Sequence, residues 1–211
     1  MADTNITIVG FGDSITQAVE VDADKQWLSL LRKMLAERYP QYQWTTINAG
    51  VGGNTSREGL ARMEADVLSH QPDLVLIEFG GNDATDEENR HVSLEEFQNN
   101  LSLMLERVTS VSARVVMIVF PPVIDAWHAC GNKTYYAPWS GLDGCVEQYR
   151  KITRDFAASQ RLPLADIDAA LRENCQRYTA DKFIRSCGVH LTEAGNQVVA
   201  QTVFQTISTM Y

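Results

Sequence analysis

Short apolar runs that end in glycine recur along the first half of this chain. Ile6, Ile8, Val9 and Phe11 lead into Gly12-Asp13-Ser14. Residues 44–48 lead into Ala49-Gly50-Val51-Gly52-Gly53-Asn54, and residues 73–79, with Leu-Val-Leu-Ile at their centre, lead into Gly80-Gly81-Asn82-Asp83. Apolar runs of this length closed by turn residues predict buried strands. Two more are expected at 114–120 and 164–167. Between them the apolar spacing becomes helical. Trp27, Leu28, Leu30, Leu31, Met34 and Leu35 form one broad stripe, with Asp22 or Asp24 as the expected cap and Tyr39-Pro40 as the stop. A helix is predicted over 56–70, ended by Gln71-Pro72. Ser93 with Glu96 reads as a capping box for a helix through Val108. Further helices are expected over 142–159, over 168–174, and after Thr192.

Strand and helix alternate five times. That order predicts one α/β domain over residues 1–211, with a parallel sheet covered on both faces. Residues 121–141 fit no period. They carry Trp127, His128, Tyr135, Tyr136 and Trp139, and a loop of this length reads as a lid or binding segment. Residues 178–189 are expected to be irregular.

The carboxyl edge of such a sheet is where ligands bind. The three glycine-bearing loops would meet there, bringing together Ser14, exposed glycine amides and the Asn82 amide. A serine at a strand end is either a turn residue or a nucleophile. Acyl transfer needs a nucleophile, donors for the developing oxyanion, and a base. Of four histidines, His70 falls at a helix end and His91 in an acidic surface stretch. His128 lies in the aromatic loop. His190, just before a helix cap, has the best position for a base.

Composition narrows the partners. The 211 residues are 45% hydrophobic, enough for a large core, and 18 basic against 27 acidic residues give a net charge of −9. With no basic run, nucleic acid and anionic membrane are poor partners, and no apolar run is long enough to span a bilayer. The amino-terminal residues do not resemble a signal peptide, so a cytoplasmic location and four reduced cysteines are expected, with Cys130–Cys145 as the pair that export would allow. Cys187-x-x-His190 is half a zinc pattern that Cys175 could join, but no second Cys/His pair is evident, so no metal or other cofactor is expected. Gly10-x-Gly12 lacks the third glycine of a nucleotide-binding turn.

Four blocks add a more specific signal. GDSIT at 12–16, NAGVGGNT at 48–55, GGND at 80–83 and GVHLTEAGN at 188–196 resemble, in order and spacing, the blocks of the GDSL/SGNH hydrolase family. The resemblance spans nearly the whole chain. It implies a flavodoxin-like three-layer α/β/α fold with a five-stranded parallel sheet. It implies Ser14 as nucleophile, His190 as base, and an oxyanion hole from the Ser14 amide, the Gly53 amide and the Asn82 side chain. One position departs from the family pattern. Cys187 stands three residues before the histidine, where an aspartate is usual, so the residue that would orient the imidazole is missing. Asp181 and Glu193 are the nearest carboxylates in sequence.

The reading that follows is a serine ester hydrolase acting on a small-molecule ester. The aromatic and polar 121–141 segment favours short-chain or acetyl esters of a carbohydrate or similar polar alcohol. Asp13, Trp127, His128 and Trp139 are candidate substrate contacts. The alternatives are a lysophospholipase or thioesterase, and a degenerate ligand-binding protein in which Cys187 has ended turnover.

Overall fold

The computed structural model describes residues 4–210. Five parallel strands form one sheet: β1 (Thr4–Gly12), β2 (Tyr42–Gly50), β3 (Leu74–Phe79), β4 (Arg114–Val119) and β5 (Leu164–Ala165), in the order β2-β1-β3-β4-β5. That is the flavodoxin-like order, with its switch point between β1 and β3. The helices are α1 (Ser14–Gln17), α2 (Trp27–Arg38), α3 (Ser56–Asp66), α4 (Leu94–Ser110), α5 (Leu142–Gln160), α6 (Ile167–Arg177) and α7 (Glu193–Ser208). α3, α4 and α5 pack side by side as one layer, and α2, α7 and α6 as the other. Between them, β3 is buried along its whole length and β4 everywhere but Arg114. The rings of Phe11 and Phe79 meet edge to face at 5.1 Å where β1 and β3 end.

Several boundaries differ from the sequence reading, and at α2 and α4 a tertiary contact replaces the expected local one. Neither Asp22 nor Asp24 caps α2. Its N-cap is Gln26, which makes no side-chain bond, and the Trp27 amide donates instead to Asn196 Oδ1 of α7 at 3.0 Å. α3 stops at Asp66, and residues 68–70 form a separate 3-10 turn. Ser93 caps α4, yet Glu96 does not close the expected box, because Arg57 holds its carboxylate at 2.6 and 2.7 Å. The reciprocal box lies at Thr55 and Glu58, at the start of α3. β5 is only two residues long: Asp166 accepts from the Ala169 amide and starts α6 at Ile167, earlier than expected. Thr134–Trp139 forms a 3-10 helix within the long aromatic segment.

Candidate active site

The end of β1 shows how the sequence builds a half-buried serine that faces the cavity. Gly12 leaves no room for a side chain: a Cβ there would lie 2.2 Å from Thr16 Oγ1 and 2.6 Å from the Glu78 carbonyl. Asp13 then turns inward and caps α1, accepting from the Ile15 amide at 2.9 Å. Ser14 is the first residue of that single turn, and Ala18, in the left-handed region at φ 52°, ends it.

The opposite wall comes from the far end of the chain. Ile184 and Leu191 form an antiparallel bridge, and the Arg185 amide donates to the His190 carbonyl at 2.8 Å. Gly188 turns the loop at φ 81°, pressed against the 124–128 segment, and its carbonyl accepts from the Ile124 amide at 2.7 Å. The loop delivers His190 Nε2 to 3.0 Å from Ser14 Oγ, across 176 residues of sequence.

The other face of the imidazole meets two groups. Cys187 Sγ lies 3.4 Å from Nδ1 and also accepts from the His190 amide at 3.4 Å. Glu20 Oε1 lies 3.5 Å from the same nitrogen. Neither carboxylate singled out from sequence is the one found there. Glu193 pairs with Lys25 at 2.6 Å, and Asp181 sits on the exposed Ala180–Lys182 turn. Glu20 was missed because it follows Ser14 by six residues, in a turn that no local pattern ties to His190.

The loops after β1, β2 and β3 converge as expected. Arg62 of α3 binds the first two together, donating to the Gly12 carbonyl at 2.8 Å, the Ala49 carbonyl at 2.8 Å and Asn54 Oδ1 at 2.7 Å. Gly53, at φ 80°, is exposed beside Ser14 and Asn82, all three lining one cavity. Asn82 Nδ2 donates to Asp13 Oδ2 at 2.8 Å and lies 3.2 Å from the Asn54 carbonyl. Arg62 had no sequence signal for this role, since Gly12, Ala49 and Asn54 come together around it only in the folded chain.

Behind these loops is a group of buried carboxylates. Burial raises Asp13 to about 7 and Asp83 to about 6. Burial, followed by the neighbouring Asp13 charge, holds Glu78 well above the usual carboxylate range. Thr16 Oγ1 donates to Glu78 Oε2 at 3.0 Å, and Ser56 donates to Asp83 through both its amide and its hydroxyl. Asp13 is fully buried and bonded within the protein, so it is a support for Asn82 and α1 and not the substrate contact expected of it.

The cavity over Ser14 measures about 460 Å³. Phe120, Val123, Leu142 and Val146 give it an apolar wall, and Gln17, Asp86, Glu87 and Arg90 a polar one. From the aromatic segment it takes His128, Cys130 and Tyr136. Trp127 and Trp139 do not line it. Trp139 packs near Tyr135 at 6.0 Å between centroids, because the Thr134–Trp139 helix turns Tyr136 inward and those two rings outward. All four cysteines are free, and Cys175 lies on α6 beside Pro122 and Arg172. Among the described residues no group of three His, Cys, Asp or Glu side chains could hold a metal, and no helix is long and apolar enough to cross a membrane.

A serine bonded to a histidine at the carboxyl edge of a parallel sheet, with glycine and asparagine loops beside it, defines a class of α/β proteins built for acyl transfer. The chain belongs to the GDSL-like lipase/acylhydrolase family, whose model matches residues 11–198. It is 36% identical to Esterase TesA of Pseudomonas aeruginosa, over 55% of this chain and 56% of that protein, so the match spans little more than half of that relative's length. It is 26% identical to the uncharacterized lipoprotein YqeF of Bacillus subtilis, over 93% of this chain and 87% of that protein. Among solved structures it resembles the acetyl xylan esterase AlAXEase, with 26% identity, a TM-score of 0.77, and coverage of 96% of this chain and 100% of that one.

Proposed function

We propose that this protein is a serine carboxylic ester hydrolase working through an acyl-enzyme. The observation that carries the reading is the 3.0 Å contact between Ser14 Oγ and His190 Nε2. In the proposed reaction Ser14 Oγ attacks the ester carbonyl and its proton passes to Nε2. The carbonyl oxygen, now charged, takes hydrogen bonds from the Ser14 and Gly53 amides and from Asn82 Nδ2. Collapse breaks the bond to the alcohol, which leaves with the proton from His190. Water then gives a proton to His190, attacks the acyl-serine, and releases the acid and the free hydroxyl.

The substrate reading is a short acyl group on a polar alcohol. An apolar wall of four side chains beside a polar wall supports it, as does the likeness to a protein named for acetyl xylan. Trp127 and Trp139, outside the cavity, give no support to sugar stacking. The whole chain is taken to act as one domain.

The test is hydrolysis of 4-nitrophenyl esters of increasing acyl length by wild type and Ser14→Ala. The expected result is turnover that is highest for acetyl or butyryl and falls by on the order of 10³ or more in Ser14→Ala. Comparable turnover in the folded variant would remove Ser14 from the reaction. A maximum at long acyl chains would favour a lysophospholipase or thioesterase.

A further inference from the structure

His190 needs a partner for its second nitrogen. With Nε2 facing the Ser14 hydroxyl as acceptor, the tautomer competent for proton abstraction carries its hydrogen on Nδ1. When Nε2 takes the serine proton, the ring becomes a cation, and a negative charge beside Nδ1 stabilises it. The usual source of that charge is absent, since position 187 is a cysteine. Its sulfur, 3.4 Å from Nδ1, suits the role of a weak acceptor that keeps the ring in plane.

We infer that Glu20 supplies the charge: its carboxylate, 3.5 Å from Nδ1, acts through His190 as the positioning acid that position 187 lacks. This rests on the serine-hydrolase reading above. The distance is long for a hydrogen bond, but the attraction between a carboxylate and an imidazolium at this range does not require one. Ala18 sets the geometry. Its left-handed backbone ends α1 after one turn, so residues 19–21 fold back toward the His190 loop. Arg185 of that loop holds the fold through a bond from Nη1 to the Glu20 carbonyl at 3.4 Å. Nucleophile and charge partner thus ride on one short segment, and the base is inserted between them.

The other groups around the ring leave this role to Glu20. His128, from the segment after β4, is pushed below the usual histidine range chiefly by burial, and its Nδ1 accepts from the Cys130 amide at 3.1 Å, so it is neutral at pH 7. Arg185 directs its backbone amide to the His190 carbonyl and its guanidinium to Glu20's backbone. Glu193 is held by Lys25. Glu20 and His190 side chains are 22% and 30% exposed, so solvent screens part of the interaction and the effect will be smaller than in a buried triad.

The experiment compares wild type, Glu20→Gln, Cys187→Asp and the double variant in two measurements. The first is the pH dependence of kcat and KM on 4-nitrophenyl acetate. The second is the His190 ring titration by NMR in the Ser14→Ala background, which needs no activity. Glu20→Gln is expected to lower kcat roughly tenfold or more with little change in KM, and to move the acidic limb down by about half a pH unit or more. The NMR titration should move the same way. Cys187→Asp should raise kcat by a larger factor in Glu20→Gln than in wild type, because one acid then replaces the other. An unmoved ring titration in Glu20→Gln overturns the proposal, whether or not the protein proves to be an esterase. So does a kcat within twofold of wild type, or equal gains from Cys187→Asp in both backgrounds. If Ser14→Ala retains turnover while Glu20→Gln shifts the ring, the hydrolase reading fails and the Glu20–His190 pairing stands.

Discussion

Asn82 has two amide hydrogens and three claims on them. Asp13 Oδ2 takes one at 2.8 Å, the Asn54 carbonyl lies 3.2 Å from the same nitrogen, and the proposed oxyanion needs one as well. The contact with Asn54 is the longer, so it is the one to yield as charge develops on the substrate, while Asp13 keeps the amide aimed. Asn82→Ala is therefore expected to lower kcat by roughly 10²–10³ with KM little changed, in steady-state hydrolysis of an aryl acetate. A change confined to KM would make Asn82 a ground-state contact. Arg62 acts one step further back. A lysine cannot reproduce three donors in a fixed fork, so Arg62→Lys should let the loops after β1 and β2 drift. The expected cost is roughly ten- to hundredfold in kcat, because small misplacements of reacting groups are expensive. Unchanged kcat would mean the loops hold their positions without the clamp. Ser14, Asn82 and His190 could be picked out from sequence because strand-end position and residue type point to them. Arg62 and Glu20 could not, because their partners lie on other loops and no spacing along the chain links them.

Elements with strong periodicity were legible, and those fixed by distant partners were not. The apolar runs at 6–11, 73–79 and 114–120 become β1, β3 and β4 because a strand buried on both faces needs a continuous apolar run. The start of α2 and the broken box on α4 depend on Asn196 and Arg57, which no local pattern links to them, whereas the early start of α6 rests on a local cap, Asp166. The segment after β4 is the clearest case. It carries no period, yet it is held by Arg150 of α5, a fully buried cation that donates to the Phe120 carbonyl at 3.0 Å, the Pro121 carbonyl at 2.7 Å and Asp143 at 2.7 Å. Asp168, 3.4 Å from Arg150, joins the cluster from α6, and Arg154 and Arg172 close it. Removing one member of a buried charge network leaves the others uncompensated. Arg150→Ala is expected to cost about 3–5 kcal/mol in urea unfolding. It should also lower kcat/KM, since Phe120 and Val123 of this segment line the cavity. A loss under about 1 kcal/mol would assign the segment's order to its apolar contacts alone.

Across the whole molecule, the carboxyl edge of the sheet carries an electrostatic cost that should appear in the pH dependence of stability. Asp13, Glu78 and Asp83 are buried together where β1 and β3 end, and burial raises all three. In the unfolded chain such groups lose their protons near pH 4. Between that pH and their folded values the native state holds more protons than the unfolded state, so unfolding free energy falls as pH rises. The contribution is fully present below about pH 4 and is lost through about 6 for Asp83 and about 7 for Asp13. Asp86 and Glu96 act in the opposite sense. Hydrogen bonds from Lys133 and Arg57 lower them, so their contribution is present above about pH 4 and disappears in more acid solution. Stability should therefore peak on the acid side of neutrality, and the urea midpoint should be higher at pH 5.5 than at pH 8. Asp83→Asn isolates one component. The amide oxygen can still accept from Ser56, but the group no longer titrates. For a shift from 3.8 to about 6 most of the loss falls between pH 4 and 6, so between pH 5.5 and 8 the variant should remove on the order of 1 kcal/mol of the fall. A midpoint that rises steadily from pH 5.5 to 8, or a slope that Asp83→Asn leaves intact, would show that these carboxylates ionise in the folded protein much as they do in water.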